Sequence, residues 1–150
     1  MDNIPHQIEE SEEIIRVLLD PIHIKKENEV KAYAFQPPKD SEDISVNRGK
    51  YTTYNLCKTQ GLKLQNERNK FWGLGIATFS VLKKVGFSVV YSPDYKNSNL
   101  AHSDIKIGEK KIEGEPLSIE TTLKIKELIK SLKILRDPFP NEICWELQNK

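Results

Sequence analysis

Nothing in this chain ties a residue spacing to a known reaction. It has no paired-cysteine zinc spacing, no phosphate-binding loop, no nucleophile elbow and no complete dinucleotide fingerprint, since Gly73-x-Gly75 lacks the third glycine and the long helix that such a fold needs. Cysteine is scarce as well: Cys57 and Cys144 are too few for a disulfide framework and read as reduced thiols. Charge of one sign is also lacking, because 23 Lys and Arg against 22 Asp and Glu leave a formal net charge of +1. That balance removes the whole-molecule argument for nucleic acid or an anionic membrane as a partner. No apolar run approaches the roughly 20 residues that cross a bilayer, and the N-terminus MDNIPHQIEESEE lacks the basic-then-apolar order of a secretory signal. A cytoplasmic protein with no membrane partner is therefore expected.

What is present fits one α+β domain: a single small mixed sheet with short helices and a C-terminal amphipathic helix packed on one face. A chain of 150 residues can bury roughly two thirds of its unfolded surface in one core. Residues 1–11, rich in glutamate and poor in apolar neighbours, predict a flexible acidic arm, and 12–150 the domain. Ile14 to Leu19, a β-branched and aliphatic run broken by Arg16, predicts a strand; KKENEVK reads as a charged connector, and Ala32 to Phe35 as a short strand stopped by Pro37-Pro38. Ile44-Ser45-Val46-Asn47 alternates, which turns Ile44 and Val46 inward and puts Ser45 and Asn47 on the other face, with Arg48 ending the strand.

Further along, the residues from Tyr51 to Gln60 predict a helix closed by Gly61. Phe71 to Ala77 predicts a strand, Thr78 or Ser80 caps a short helix, and Gly86 ends it in left-handed geometry before the strand FSVVY. Eight residues are short for a parallel crossover, so these two strands need not be neighbours. His102 to Ile107 alternates again, with His102, Asp104 and Lys106 on one face. Ser118 caps a final helix whose Ile125, Leu128, Ile129, Leu132 and Leu135 form an apolar stripe as far as Asp137-Pro138. The segment from Ile143 to Leu147 then tucks back around Trp145.

A set of positions within this middle half, Ala34, Phe35, Pro37, Asp40, Ser45, Val46, Arg48, Gly75, Ser80, Val81, Pro93, Asp94, Asn99, Ala101, His102 and Ile105, resembles the pattern of a group of small bacterial proteins with no established activity. The resemblance singles out residues and implies no reaction.

Two constellations carry chemistry. Arg48, with Ser45 and Asn47 on the neighbouring strand face, offers a guanidinium, a hydroxyl and an amide that could converge on a phosphate or carboxylate; the plainer reading is a polar strand end. His102 has Asp104 two residues on and Asp94 across the preceding loop, and a carboxylate beside an imidazole suits acid or base work; the plainer reading is a histidine that caps the loop. So small and irregular a ligand set predicts no metal site. The basic face of the last helix has no interleaved aromatics, so nucleic acid is not expected as a partner.

Two functions follow from these residues. The favoured one is a binding or accessory module that recognises a partner protein or a small anionic ligand through the loops at 36–48 and 92–102. The alternative is a small transferase or hydrolase directed at a nucleotide or NAD, with Arg48 and His102 in its site, on short strands that also carry Arg16 and Ser45. No cofactor is specified by the sequence, and oligomeric state is left open.

Overall fold

A computed structural model describes residues 3–146. The α+β class holds. Strand β1 (Glu13–Asp20) is followed by a small hairpin, β2 (Ile24–Lys26) and β3 (Glu29–Val30), then by β4 (Asp43–Arg48), helix α1 (Tyr54–Leu64), β5 (Lys70–Thr78), α2 (Phe79–Val85), β6 (Ser88–Tyr91), β7 (His102–Lys106), α3 (Ile119–Lys130) and β8 (Lys133–Arg136). Six strands form one sheet in the order β6-β7-β4-β1-β5-β8, and each of its pairings is antiparallel. The strands that flank α2 are not neighbours, since three others stand between β5 and β6.

The alternation in each strand gives the sheet two apolar faces. On one, Ile14, Leu18, Ile44, Val46 and Ile105 pack against Leu82 of α2 and Ile125 and Leu128 of α3. On the other, Ile15, Val17, Leu74 and Ile76 pack against Cys57 of α1 and Trp145. Full burial of each such Leu or Ile contributes about 1.5–3 kcal/mol. Among the described residues no helix is long and apolar enough to cross a membrane.

Local signals set most of the boundaries. Thr78 accepts a hydrogen bond from the Val81 amide, and Gly86 takes φ 98° while its own amide bonds back to Leu82 and Lys83. Ser118 caps α3 by accepting from Thr121. Elsewhere tertiary pairing overrides the local pattern. The apolar stripe of the last helix breaks at Lys130, and Lys133 to Arg136 pairs as β8 with Gly73 to Ile76 at an edge of β5 that would otherwise be open. Leu135 therefore lies on a strand.

The segment KKENEVK forms most of the β2–β3 hairpin, and Ala32 to Phe35 coils as a 3-10 turn that buries Ala34 and Phe35. Gly61 does not end α1. It lies inside the helix, where a Cβ would collide with the Phe71 ring. Of the predicted C-terminal tuck, Trp145 is buried and its amide donates to the Asn55 side chain at 2.8 Å, while Leu147 lies outside the described residues.

Of the flexible arm expected over 1–11, residues 1 and 2 lie outside the described residues, and the rest is tied to the domain. Ile8 is buried in the larger core, and the backbone amides of Phe79 and Ser80 donate to the carbonyls of Glu12 and Glu10. His6 meets the Tyr91 ring edge-on at 5.1 Å.

His23, at the turn after β1, is buried and its Nδ1 accepts from the Leu19 amide at 3.0 Å. Loss of water, with the Arg16 and Lys31 charges adding to it, pushes its pKa down to about 4. The unfolded chain, where histidine titrates near ~6.5, therefore binds more protons than the fold between those two values. Stability should fall as the pH drops through that window, by about 3 kcal/mol in total. Urea midpoints taken from pH 7 to 4 on the wild type and on His23→Gln check this, and equal acid sensitivity in both would count against it.

Candidate functional site

β1 and β4 pair only at Ile14 with Arg48 and Ile15 with Asn47, although β1 runs on to Asp20 against β5. Beyond Ile15 the two strands part, and Arg16 bridges the opening: its Nε donates to the Ala34 carbonyl at 2.9 Å and its Nη1 to the Ser45 carbonyl at 3.1 Å. Both acceptors are neutral. No carboxylate among the described residues pairs with this guanidinium. Burial pushes its pKa down to about 10, so it remains a cation at neutral pH.

Arg16 forms one wall of a cavity of about 60 Å³ whose other polar walls are Ser45, Asn47, Gln60, Asn99 and His102. Register explains the gathering. Ser45 lies opposite Asp104 and Asn47 opposite His102 across β4 and β7, so side chains two apart in each strand share one face. Asn47, buried at 3% exposure, joins three elements there. Its Nδ2 donates to Gln60 Oε1 of α1 at 2.8 Å, and its Oδ1 accepts from Asn99 Nδ2 of the loop before β7 at 2.7 Å. Ser45 contributes its carbonyl to Arg16, while its exposed hydroxyl makes no hydrogen bond among the described residues.

The His102 ring is oriented from behind. Nδ1 stands 2.7 Å from the Ser92 carbonyl, which can only accept, so that nitrogen carries a hydrogen. The Ser92 hydroxyl lies 3.1 Å from the same Nδ1 and gives its own hydrogen to Asp104 Oδ2 at 2.7 Å. Serine, histidine and aspartate thus meet without forming a nucleophile and base: the hydroxyl gives its hydrogen to a carboxylate, and Nδ1, the ring nitrogen nearest it, carries a hydrogen of its own. Cys57 gives no better nucleophile, because burial pushes its thiol up to about 11. Among the described residues, no group of three or more His, Cys, Asp or Glu could hold a metal ion.

Arg48 and Asp94, both expected in the site, stand outside it. Arg48 lies on the face opposite Asn47 with 0% exposure, and the arm covers it. Its Nε and Nη2 grip the two Glu12 oxygens, each at 2.9 Å, Nη1 donates to the Pro5 carbonyl and Nη2 also reaches the Gln7 carbonyl at 3.3 Å. The Tyr51 and Tyr91 rings flank it at 4.8 and 5.2 Å. No room is left for a ligand. Asp94 shapes its own loop, accepting from the Asn97 amide at 3.2 Å and side chain at 2.8 Å. The Asn97 side chain is also the main reason its carboxyl stays below the usual range.

Sequence reasoning missed Gln60 as a wall of the cavity, named Asn99 only through the resemblance and the loop at 92–102, and missed Lys58 altogether. Lys58 is a charged residue on a helix with no periodic signal to mark it, yet it is 0% exposed. Its ammonium holds Asp137 at 2.9 Å, the Phe139 carbonyl at 2.9 Å and the Cys144 carbonyl at 3.0 Å, which fastens the C-terminal segment to α1. A larger hollow of about 640 Å³ between α2 and α3 is lined by Val81, Leu123, Lys124 and Glu120, on other elements. Compared with models of protein families, with curated proteins and with solved structures, the chain matches none.

Proposed function

We propose that this domain is a binding module for a small anionic ligand, taken up by Arg16 in the gap between β1 and β4 beneath the loop at 92–102. One observation carries the reading: a half-buried guanidinium is fixed by two neutral carbonyls, pairs with no carboxylate among the described residues, and belongs to a residue that lines a cavity with amides and an imidazole among its other walls. A buried charge is costly unless paired. A bound anion would supply the missing partner, and Arg offers a planar fork suited to an oxyanion.

Of the two ligand classes expected from the sequence, partner protein and small anion, a half-buried cation that pairs with no carboxylate among the described residues favours the anion. A transferase or hydrolase acting on a nucleotide or NAD has less support, since Arg48 is committed to Glu12 and about 60 Å³ is well below the roughly 300 Å³ at which ligand pockets begin. Nucleic acid stays outside the reading, and a cytoplasmic setting accords with two free cysteines.

Thermal-shift screening of the full chain against acetate, phosphate, sulfate and nucleotides tests it. A ligand at a hundred times its dissociation constant adds about 2.7 kcal/mol of apparent stability. Arg16→Gln should remove the response. No shift with any anion, or an unchanged shift in that variant, would refute the proposal.

A further inference from the structure

Where β1 parts from β4, one rung of the sheet is missing. Even-numbered residues of β1 bond to β5, because the Phe79 amide donates to the Glu12 carbonyl in the register that also pairs Ile14 with Ala77. Even-numbered residues of β4 bond to β7, since the Arg48 amide donates to the Ala101 carbonyl in the register of that pair. The odd-numbered residues therefore turn towards each other across the gap. Ile15 meets Asn47 there, and the next rung would join Val17 to Ser45.

Beyond that rung, local partners substitute. The Leu19 amide donates to His23 Nδ1 and the His23 amide to the Leu19 carbonyl, while the Asp43 amide donates to Ser41 Oγ. At the missing rung itself only the Ser45 carbonyl is used, by Arg16. The N–H and C=O of Val17 and the N–H of Ser45 have no partner among the described residues. Val17 is buried, and a buried backbone group left unpaired is costly. The cavity of about 60 Å³ has both residues among its walls.

The N–H and C=O of one extended residue point the same way, so together they call for an acceptor and a donor set side by side. A single hydroxyl or water oxygen cannot line up with both, because hydrogen bonds weaken steeply as the approach bends. A carboxylate has two acceptors and no donor, which sets a negative oxygen against the Val17 carbonyl. A primary carboxamide has the required pair in one plane, with a second lone pair on its oxygen for the Ser45 N–H. Size agrees: about 60 Å³ is roughly four water-sized positions at ~15 Å³ each, room for a carboxamide and the carbon that carries it.

We infer that the cavity receives the primary carboxamide of a ligand, its oxygen accepting from the Val17 and Ser45 amides and its NH2 donating to the Val17 carbonyl. This site goes beyond the anion reading and makes no use of the Arg16 guanidinium, which is committed to the Ala34 and Ser45 carbonyls.

Amide-proton NMR titrations of the full chain at neutral pH, run in the millimolar range because so few ligand atoms bind weakly, compare acetamide with acetone, acetate and ethanol. Acetamide should move the Val17 and Ser45 amide signals most. Acetone keeps the acceptor and the size but lacks the donor, so it should bind about 5-fold more weakly, the ratio one neutral hydrogen bond supplies. Leu64→Trp enlarges a wall residue that is 59% exposed and should weaken acetamide at unchanged Tm, which separates loss of the site from loss of the fold.

Acetone or ethanol binding as tightly as acetamide would overturn the carboxamide, because the paired donor would then add nothing. Acetate binding more tightly would overturn it in favour of an anion. If acetamide leaves the Val17 and Ser45 signals unmoved, water alone fills the rung and the site falls, whatever Arg16→Gln does to anion binding.

Discussion

Arg48→Met should lower the stability of this protein by about 3–5 kcal/mol, because removing one partner of a buried ion pair leaves the other charge uncompensated. The orphan is Glu12, itself buried at 7% exposure and bonded through both oxygens to the guanidinium. The carbonyls of Pro5 and Gln7 lose their donor at the same time, so the arm should peel away before the rest unfolds. Urea denaturation measures the first effect, and limited proteolysis of residues 3–11 the second. A loss below about 1 kcal/mol, the range of exposed pairs, with an undigested arm, would mean that Arg48 is not the clamp.

Acid gives a further check on the same contact. Desolvation pushes the Glu12 carboxyl upward, but its hydrogen bonds to Arg48 and to the Glu9 amide outweigh this and hold it below the ordinary value. A carboxyl whose folded pKa is depressed stabilises the fold above its unfolded pKa and loses that contribution as the pH falls through the folded one. The gap between wild type and Arg48→Met should therefore narrow in acid.

Lys58→Met should be as damaging at the other end of the chain. Its three N–H donors are divided among Asp137, the Phe139 carbonyl and the Cys144 carbonyl, and no water reaches the ammonium, which is 0% exposed. Methionine keeps most of the aliphatic stem and removes the charge, so Asp137 is left buried and alone. A loss of about 3–5 kcal/mol corresponds in a chain of this size to a fall in Tm of roughly 6–20 °C.

The double variant Lys58→Met with Asp137→Asn separates the pair from the packing. Contacting partners are not additive, and the double loss should be smaller than the sum of the single ones. Additive losses would place the effect in the packing of Trp145 against Tyr54 and Phe71 rather than in the ion pair.

These two residues mark where the sequence stopped being readable. An Arg at the end of a strand and a Lys on a helix have the same local signature whether they face water or are sealed under a terminus. What separates them is the segment that covers them, 36 residues away for Arg48 and 79 for Lys58. The candidate site shows the same division. Ser45, Asn47 and His102 were placed together on polar strand faces, and the β4–β7 register brings those faces side by side. The parting of β1 from β4 at Arg16, and the sealing of Arg48 beneath the arm, are encoded by no local pattern.

By itself the sequence determined the α+β class, the inward faces of β4 and β7, the cap at Ser118, the cap of α2 to within Thr78 or Ser80, and the left-handed stop at Gly86, because alternation and capping are properties of a few consecutive residues. Tertiary structure alone decided that Lys133 to Arg136 leaves the helical pattern to close the edge of β5, that residues 5–12 are strapped down, and that Arg48 is paired with Glu12 while Arg16 is held by two carbonyls. Each of those outcomes depends on a partner distant in sequence, and on whether a charge finds a counter-ion once water has been removed.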